Sequence, residues 1–450
     1  MDQAQASIRR TPLEGWIARE VGAGAEALRR EDVESHQLRR LRDTLAWARA
    51  RSPFYRRTLA NVGGELAALG DVERLPFTTA DDLREQGLQF LCVSQGEVSR
   101  VVTLSTSGTT GKPKRLCFTP EDQERTVDFM RHGASDQVRP GDRVMILVPG
   151  EAPGSTGALL AEAFRRLGAT PIVHGLPQDL AGAVAVMRRE QPAALVGIPT
   201  HALALARQVD ESAGDPVRLG SAFLIGDHVP DSIVRALERA WGCEVFEHYG
   251  LTETGLGGGV DCEAHSGYHV READLYVEVI DPVTGRSVPE GTLGEVVVTT
   301  LSRRGMPLVR YRTGDLSRFL PGRCPCGTAL RRLERVKGRK GEVSLVGNEV
   351  TMATLDEALF EVPALIDFAA AVSRGERAEG LAIRAWSVRP DHGALENAVA
   401  AALETIPAVR AARLAGELSL SVESAFADGR LPRGPEKRAL SELSGSAGIA

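Results

Sequence analysis

The segment from Ser105 to Lys114, STSGTTGKPK, packs two glycines, three threonines, two serines and two lysines into ten residues. It follows VVTL, which reads as a strand. Glycines let backbone N–H groups crowd around a phosphate, and small hydroxyl side chains add donors. Lys112 and Lys114 supply positive charge. The loop is not a Walker A motif: Gly111-Lys112 is followed by Pro113, and Thr106 stands where the first glycine belongs. The hydroxyl that would follow the lysine and bind magnesium is therefore missing. Taken alone, such a loop also reads as a flexible surface turn.

A second set of residues suits metal chemistry. DCEAHSGYH offers Cys262, His265 and His269, and GRCPCG offers Cys324 and Cys326. Two thiolates one residue apart, with a distant Cys and His, can close a tetrahedral zinc site with no open position, which makes the metal structural. Cys-x-Cys is less diagnostic than Cys-x₂-Cys, and the spacing alone leaves His265 and His269 as alternatives. Cys92, Cys117 and Cys243 stand singly in apolar stretches and read as buried, inert thiols.

The elements that must position these residues follow from periodicity. Between 25 and 60, LRRLRDTLAWARA repeats apolar residues at helical spacing until Pro53. From about 100 to 230, the runs RVMILVP, TPIVHG, AALVGIP and SAFLIG alternate with ALLAEAFRRLGA, LAGAVAVMRRE and DSIVRALERAWG. Buried strands followed by helices predict parallel βαβ units. From 275 to 320 the pattern becomes strand, turn, strand with Gly and Pro punctuation, which predicts an antiparallel, barrel-like subdomain. The charged, Gly-rich GRKGE near 338–342 predicts a hinge, dividing a large α/β domain (1–338) from a small mobile α+β domain (339–450). In the latter, TMATLDEALFEVP and HGALENAVAAALETIP read as helices, and LAIRAWSV and ELSLSVES as strands.

Composition excludes several classes. The 450 residues are 43% hydrophobic and 25% charged, with a net charge of -6. That is an ordinary globular balance, and no basic patch or tail suggests a nucleic-acid partner. No apolar run approaches the ~20 residues that cross a bilayer, so no membrane association is expected. The opening MDQAQASIRR carries no secretory signal, so the expected compartment is the cytoplasm. Six cysteines in so long a chain are not a disulfide scaffold.

With these segments in order, the sequence resembles the adenylate-forming enzymes, the superfamily that includes acyl- and aryl-CoA synthetases. LSTSGTTGKPK resembles their first phosphate signature, and EHYGLTETG (Glu247–Gly255) their second. YRTGDLSRF from Tyr311 and KGRKGE from Lys337 resemble the ribose and hinge signatures. LPRGPEKR from Leu431 resembles the segment bearing a late lysine. SPFYRRTL and LPFTTADDLRE point to the phenylacetate–CoA ligase branch.

The resemblance implies a two-step reaction. A carboxylate attacks the α-phosphate of ATP, pyrophosphate leaves, and the thiol of coenzyme A takes the acyl group. Ser105, Thr106, Ser107, Gly108, Thr109, Thr110, Gly111 and Lys114 would cradle phosphates. Glu253 would hold Mg²⁺, a hard cation that needs few protein oxygens. Thr252 would contact the α-phosphate, His248 would lie near the acyl or α-phosphate group, and Tyr249 and Gly250 beside the adenine. Gly226 and Asp227 match the adenine-contact turn, where many members have Gly-Glu. Asp315 would accept both ribose hydroxyls, and Arg339 would reach the nucleotide from the hinge. Lys437 is the expected catalytic lysine of the first step, acting only when the small domain docks. Glu436 precedes it where the family usually has glycine. For zinc, the resemblance picks His269 with Cys262, Cys324 and Cys326. It also points to an aryl, phenylacetate-like or benzoate-like acid. The alternatives are a carrier-protein thiol or an amine as acceptor, or adenylylation of a cofactor. The branch resemblance allows a homodimer, which no residue in the sequence carries.

Overall fold

The computed structural model describes residues 8–24, 28–104, 112–375, 378–434 and 437–443. The chain falls into two compact units, Met1–Asp136 with His248–Val336, and Gln137–Glu247 with Lys337–Ala450. The last cut lies within two residues of the hinge read at 338, and the segment beyond it groups with 137–247.

In the second unit, the apolar runs are parallel strands in the order Thr170–Val173, Arg143–Ile146, Ala194–Gly197, Ser221–Leu224, then the first residues of Glu244–Tyr249. Every residue of Ala194–Gly197 and Ser221–Leu224 is buried, as continuous apolar runs covered on both faces require. The helices Thr156–Arg166, Leu180–Glu190, Pro199–Glu211 and Asp231–Trp241 are the crossovers. The last of these has Asp231 in its first turn, where the helix dipole favours a carboxylate, and stops at Gly242, whose φ of 68° suits glycine.

Beyond Lys337, the helix Met352–Leu359 leads into a four-stranded sheet ordered Leu418–Phe426, Glu379–Ser387, Leu365–Arg374, Ser441–Glu442. The predicted helices and both predicted strands of this segment are present. The ten-residue strand Leu365–Arg374 is not among the sequence expectations. Its run Ala369–Ala371 is made of helix formers, and burial within the sheet overrides that preference. One apolar core runs through the whole unit and includes Trp241, Phe360 and Phe368.

The first unit is built on long helices and antiparallel pairs. The helix Arg30–Arg51 stops at Ser52, whose Oγ accepts from Tyr55 N at 3.3 Å to start the helix Pro53–Thr58. Arg100–Leu104 pairs antiparallel with Lys114–Phe118. Leu275–Ile280, Gly294–Thr300 and Tyr311–Ser317 form an antiparallel meander, the predicted change of texture. Thr78 ties LPFTT to this sheet: its N–H donates to Arg310 O at 3.0 Å and its carbonyl accepts from Arg312 N at 2.9 Å. Among the described residues, no helix is long and apolar enough to cross a membrane.

Arg310 fixes the start of the strand Tyr311–Ser317. Its side chain is fully buried, with Nη2 2.8 Å from Glu278 Oε1 and Nη1 2.9 Å from Leu75 O, over the ring of Phe77. Removing one partner of a buried pair strands the other charge. Arg310→Met should therefore destabilise the protein by about 3–5 kcal/mol in denaturant unfolding. A loss below about 1 kcal/mol would show that the pair behaves as a surface contact.

Candidate active site

The segment Glu247–Gly255 leaves the strand Glu244–Tyr249 and turns through a single helical turn, Thr252–Thr254. Thr254 Oγ1 accepts from Leu251 N at 3.2 Å and donates to Leu251 O at 2.9 Å, which closes the turn. Gly255, at φ 75°, ends it. No side chain fits at Gly250: a Cβ there would lie 2.4 Å from both His248 Cε1 and Leu256 O. This places Glu253, only 5% exposed, against three donors. Lys114 Nζ bonds its Oε1, Tyr311 OH donates to the same oxygen at 2.9 Å, and Arg303 Nη1 donates to its backbone carbonyl at 2.6 Å. Burial pushes the Glu253 carboxyl up, but the Lys114 ammonium and these hydrogen bonds outweigh it, leaving the group below the usual carboxylate range.

Asp315 is the reciprocal case. It is 2% exposed on the strand Tyr311–Ser317 and accepts from Tyr249 OH at 2.9 Å. Gly314, at φ 79°, precedes it, and Thr313 Oγ1 accepts from Asp315 N at 3.0 Å. Thus each segment lends a tyrosine to the other's acid: Tyr249 reaches Asp315, and Tyr311 reaches Glu253. The Tyr249 ring also stacks on Tyr268, with centroids 5.9 Å apart. His248 lies 6.0 Å from Phe129, and burial, with the nearby Arg271 charge, pushes it down to about 4, so the imidazole is neutral at pH 7. Thr252 is half-buried.

Cys262, His269, Cys324 and Cys326 converge, all buried, with their ligand atoms within 4.8 Å of one another. His269 Nε2 is 3.3 Å from Cys262 Sγ and 3.5 Å from Cys326 Sγ, and Cys262 Sγ is 3.8 Å from Cys324 Sγ. Of the two candidate histidines, His269 belongs to this group, while His265 Nδ1 lies 2.6 Å from Asp261. Three thiols and one imidazole at these separations match the donor set of a closed zinc site. Cys92, Cys117 and Cys243 are buried as expected, and burial pushes Cys92 and Cys243 up to about 12.

Within the second unit, Gly226 adopts φ 92°, and Asp227 accepts from His228 N at 2.9 Å and from Arg438 N at 3.0 Å. Burial pushes Asp227 up, against the pull of Arg438 and Lys437. Lys437 is exposed, as is Arg339 on the short strand Gly338–Arg339. Ser105, Thr106, Ser107, Gly108, Thr109, Thr110 and Gly111 lie outside the described residues. Sequence reading misses the roles of Tyr311, Arg303 and Arg438. Tyr311 and Arg438 stand inside quoted motifs, but their partners are remote in sequence, and Arg303 carries no local signal.

Comparison with known proteins adds four findings. A family model described as AMP-binding enzyme matches residues 91–302. The phenylacetate-coenzyme A ligase of Pseudomonas putida is 33% identical over 356 residues, covering 76% of this chain and 78% of its own length. The enzyme of that name from Thermus thermophilus is 31% identical over 366 residues, covering 78% and 80%. A solved 2-hydroxyisobutyryl-CoA ligase in the postadenylation state, in complex with R3-HIB-AMP, has a TM-score of 0.77 at 25% identity, covering 98% of this chain and 94% of that one.

The Lys114–Glu253 pair gives a pH-dependent test. Because the folded Glu253 is depressed, its contribution to stability is present above the unfolded value of about 4.3 and is lost as pH falls through the folded one. Lys114→Met should cost about 3 kcal/mol at pH 7. That difference from the wild type should shrink below about pH 4, where the carboxyl takes up a proton. Unchanged stability at pH 7 would contradict the assignment.

Proposed function

This chain belongs to the phenylacetate–coenzyme A ligase family of AMP-binding enzymes, and on that premise we propose that it activates an aryl carboxylic acid with ATP and passes the acyl group to coenzyme A, releasing AMP. The observation that supports this reading best is the reciprocal exchange of tyrosines between the two buried acids, Glu253 and Asp315. Both signatures are held as ionisable oxygen acceptors, the chemistry that a magnesium–phosphate group and a ribose diol each need.

In this proposal Glu253 would hold Mg²⁺ against the phosphates, with Lys114, its partner in the absence of nucleotide, turning to a phosphate oxygen. The magnesium, when bound, neutralises phosphate charge. Asp315 receives the ribose hydroxyls and is oriented for it by Tyr249. Neutral His248, beside Phe129, faces the acid without adding a positive charge. Thr252 contacts the α-phosphate, with Gly226 and Asp227 at the adenine and Arg339 toward the nucleotide. Lys437 bridges the attacking carboxylate and the α-phosphate oxygens as charge develops there. Residues 339–450 act as the lid. Cys262, His269, Cys324 and Cys326 would hold a structural zinc ion, which would join the loop after Val260 to the loop after Phe319 and supply folding free energy rather than chemistry.

Two measurements check the proposal. Acid-dependent ATP–pyrophosphate exchange, run over aryl and alkyl acids and followed by mass analysis with CoA, should show exchange with phenylacetate-like acids and a CoA thioester. Glu253→Gln should lower that exchange by about 10²–10³-fold. Exchange without a thioester would move the acceptor to a carrier thiol or an amine, and exchange with no acid would overturn the activity. Elemental analysis of protein purified without chelator should find one zinc per chain, lost in Cys324→Ser with a lowered Tm; a metal-free wild type of equal stability would remove the zinc.

A further inference from the structure

Lys437 sits on an exposed stretch, and a lysine is a point charge on a flexible stem that carries about 2 kcal/mol of rotamer freedom. Its reach is useful only if its root is fixed, since a misplacement of about 1 Å can cost about 10²-fold in rate. The glycine usual before this lysine is replaced by Glu436. What fixes the root here is the next residue. The Arg438 side chain is only 7% exposed. Its Nε and Nη2 donate to Asp356 Oδ1 at 3.0 and 2.9 Å, and its Nη1 donates to Asp367. The guanidinium lies 4.9 Å from the ring of Phe360 and 4.3 Å from that of Phe368. Asp356 stands on the helix Met352–Leu359 and Asp367 on the strand Leu365–Arg374, so the fork grips two different elements.

The backbone on either side is held as well. Arg438 N–H donates to Asp227 at 3.0 Å. After it, Leu440 is buried and Leu443 N donates to Val372 O at 2.7 Å. Before it, Leu180 N donates to Gly429 O at 2.8 Å, and Arg433 Nη1 donates to Phe368 O at 3.2 Å. Lys437 is therefore an exposed residue rooted next to a buried, multiply bonded one. A surface arginine on a solvated loop would show none of this; two carboxylates and two aromatic rings around one guanidinium make a socket.

We propose that Arg438 is the positioning residue of the adenylation step: its socket of Asp356, Asp367, Phe360 and Phe368, with the Asp227 bond to its backbone, sets where the Lys437 ammonium can go. The inference rests on the assignment of Lys437 given above. It also gives Asp227 a second role, as the acceptor that registers the lysine segment.

The test compares half-reactions in the full-length protein. Arg438→Met should lower kcat of acid-dependent ATP–pyrophosphate exchange about 10²-fold, with KM for ATP and acid within about threefold. Thioester formation from the synthetic adenylate of the same acid and CoA should stay within about threefold of wild type, because that step does not use Lys437. Arg438→Lys keeps the charge but loses the fork and should recover only part of the exchange. If Arg438→Met does not fold, Asp367→Asn, which leaves the Asp356 contacts in place, carries the same comparison. Equal losses in both half-reactions, or full exchange in the folded variant, would overturn the proposal. Lys437→Ala separates the two ideas. If it too keeps full exchange, the lysine assignment itself fails; if it loses exchange while Arg438→Met keeps it, only the positioning role fails.

Discussion

Burying a carboxylate costs several kcal/mol unless its oxygens are met, and the candidate active site of this protein rests on meeting two of them at once. Glu253 and Asp315 are 5% and 2% exposed. Each takes a phenolic hydrogen bond from the other's segment, so neither acid can move without disturbing both. A phenol donates a hydrogen bond to each acid without bringing a charge of its own. At Glu253 the remaining cost of burial is offset by Lys114, which itself comes from the end of the candidate phosphate loop. The three signatures are in this way coupled by contact, although far apart in sequence.

Much of the first unit serves to hold that exchange in register. Tyr311 and Asp315 lie on one strand, and the shift in its pairing with Gly294–Thr300 between Glu295 and Val297 sets which residues oppose it. Arg310 anchors the start of that strand on Glu278 and on the carbonyls of Glu73 and Leu75. On the other segment, the absence of a side chain at Gly250 lets Tyr249 and Glu253 flank a turn too tight for a Cβ. Cys262, His269, Cys324 and Cys326 converge where the segments that follow these elements meet. In the second unit, the parallel sheet and the segment beyond Lys337 share a single apolar core, and the socket around Arg438 is its charged counterpart.

What could be read in the sequence was chemistry that depends on local spacing. The turn around Glu253 and the Thr-Gly-Asp before Leu316 were legible through their resemblance to family signatures, and the Cys-Pro-Cys triplet through the ligand chemistry of its thiols. The parallel strands from 143 to 247 were legible because burial on both faces forces unbroken apolar runs. Contacts between distant segments were not legible. Nothing near Arg303 signals that it spans Glu253 O and Cys117 O, and nothing near Tyr311 says which acid it serves. Arg438 reads as one more surface charge until Asp356 and Asp367 are placed beside it. The strand Leu365–Arg374 was hidden by its alanines, whose intrinsic preference is outweighed only by neighbours remote in sequence.

The central claim is that the two tyrosine-held acids are the nucleotide's anchors. A crystal structure of the protein with a non-hydrolysable acyl-adenylate analogue tests it most directly. The account predicts the ribose hydroxyls on the Asp315 carboxylate with the Tyr249 bond intact. Adenylate bound elsewhere, with Asp315 still occupied only by protein donors, would contradict it.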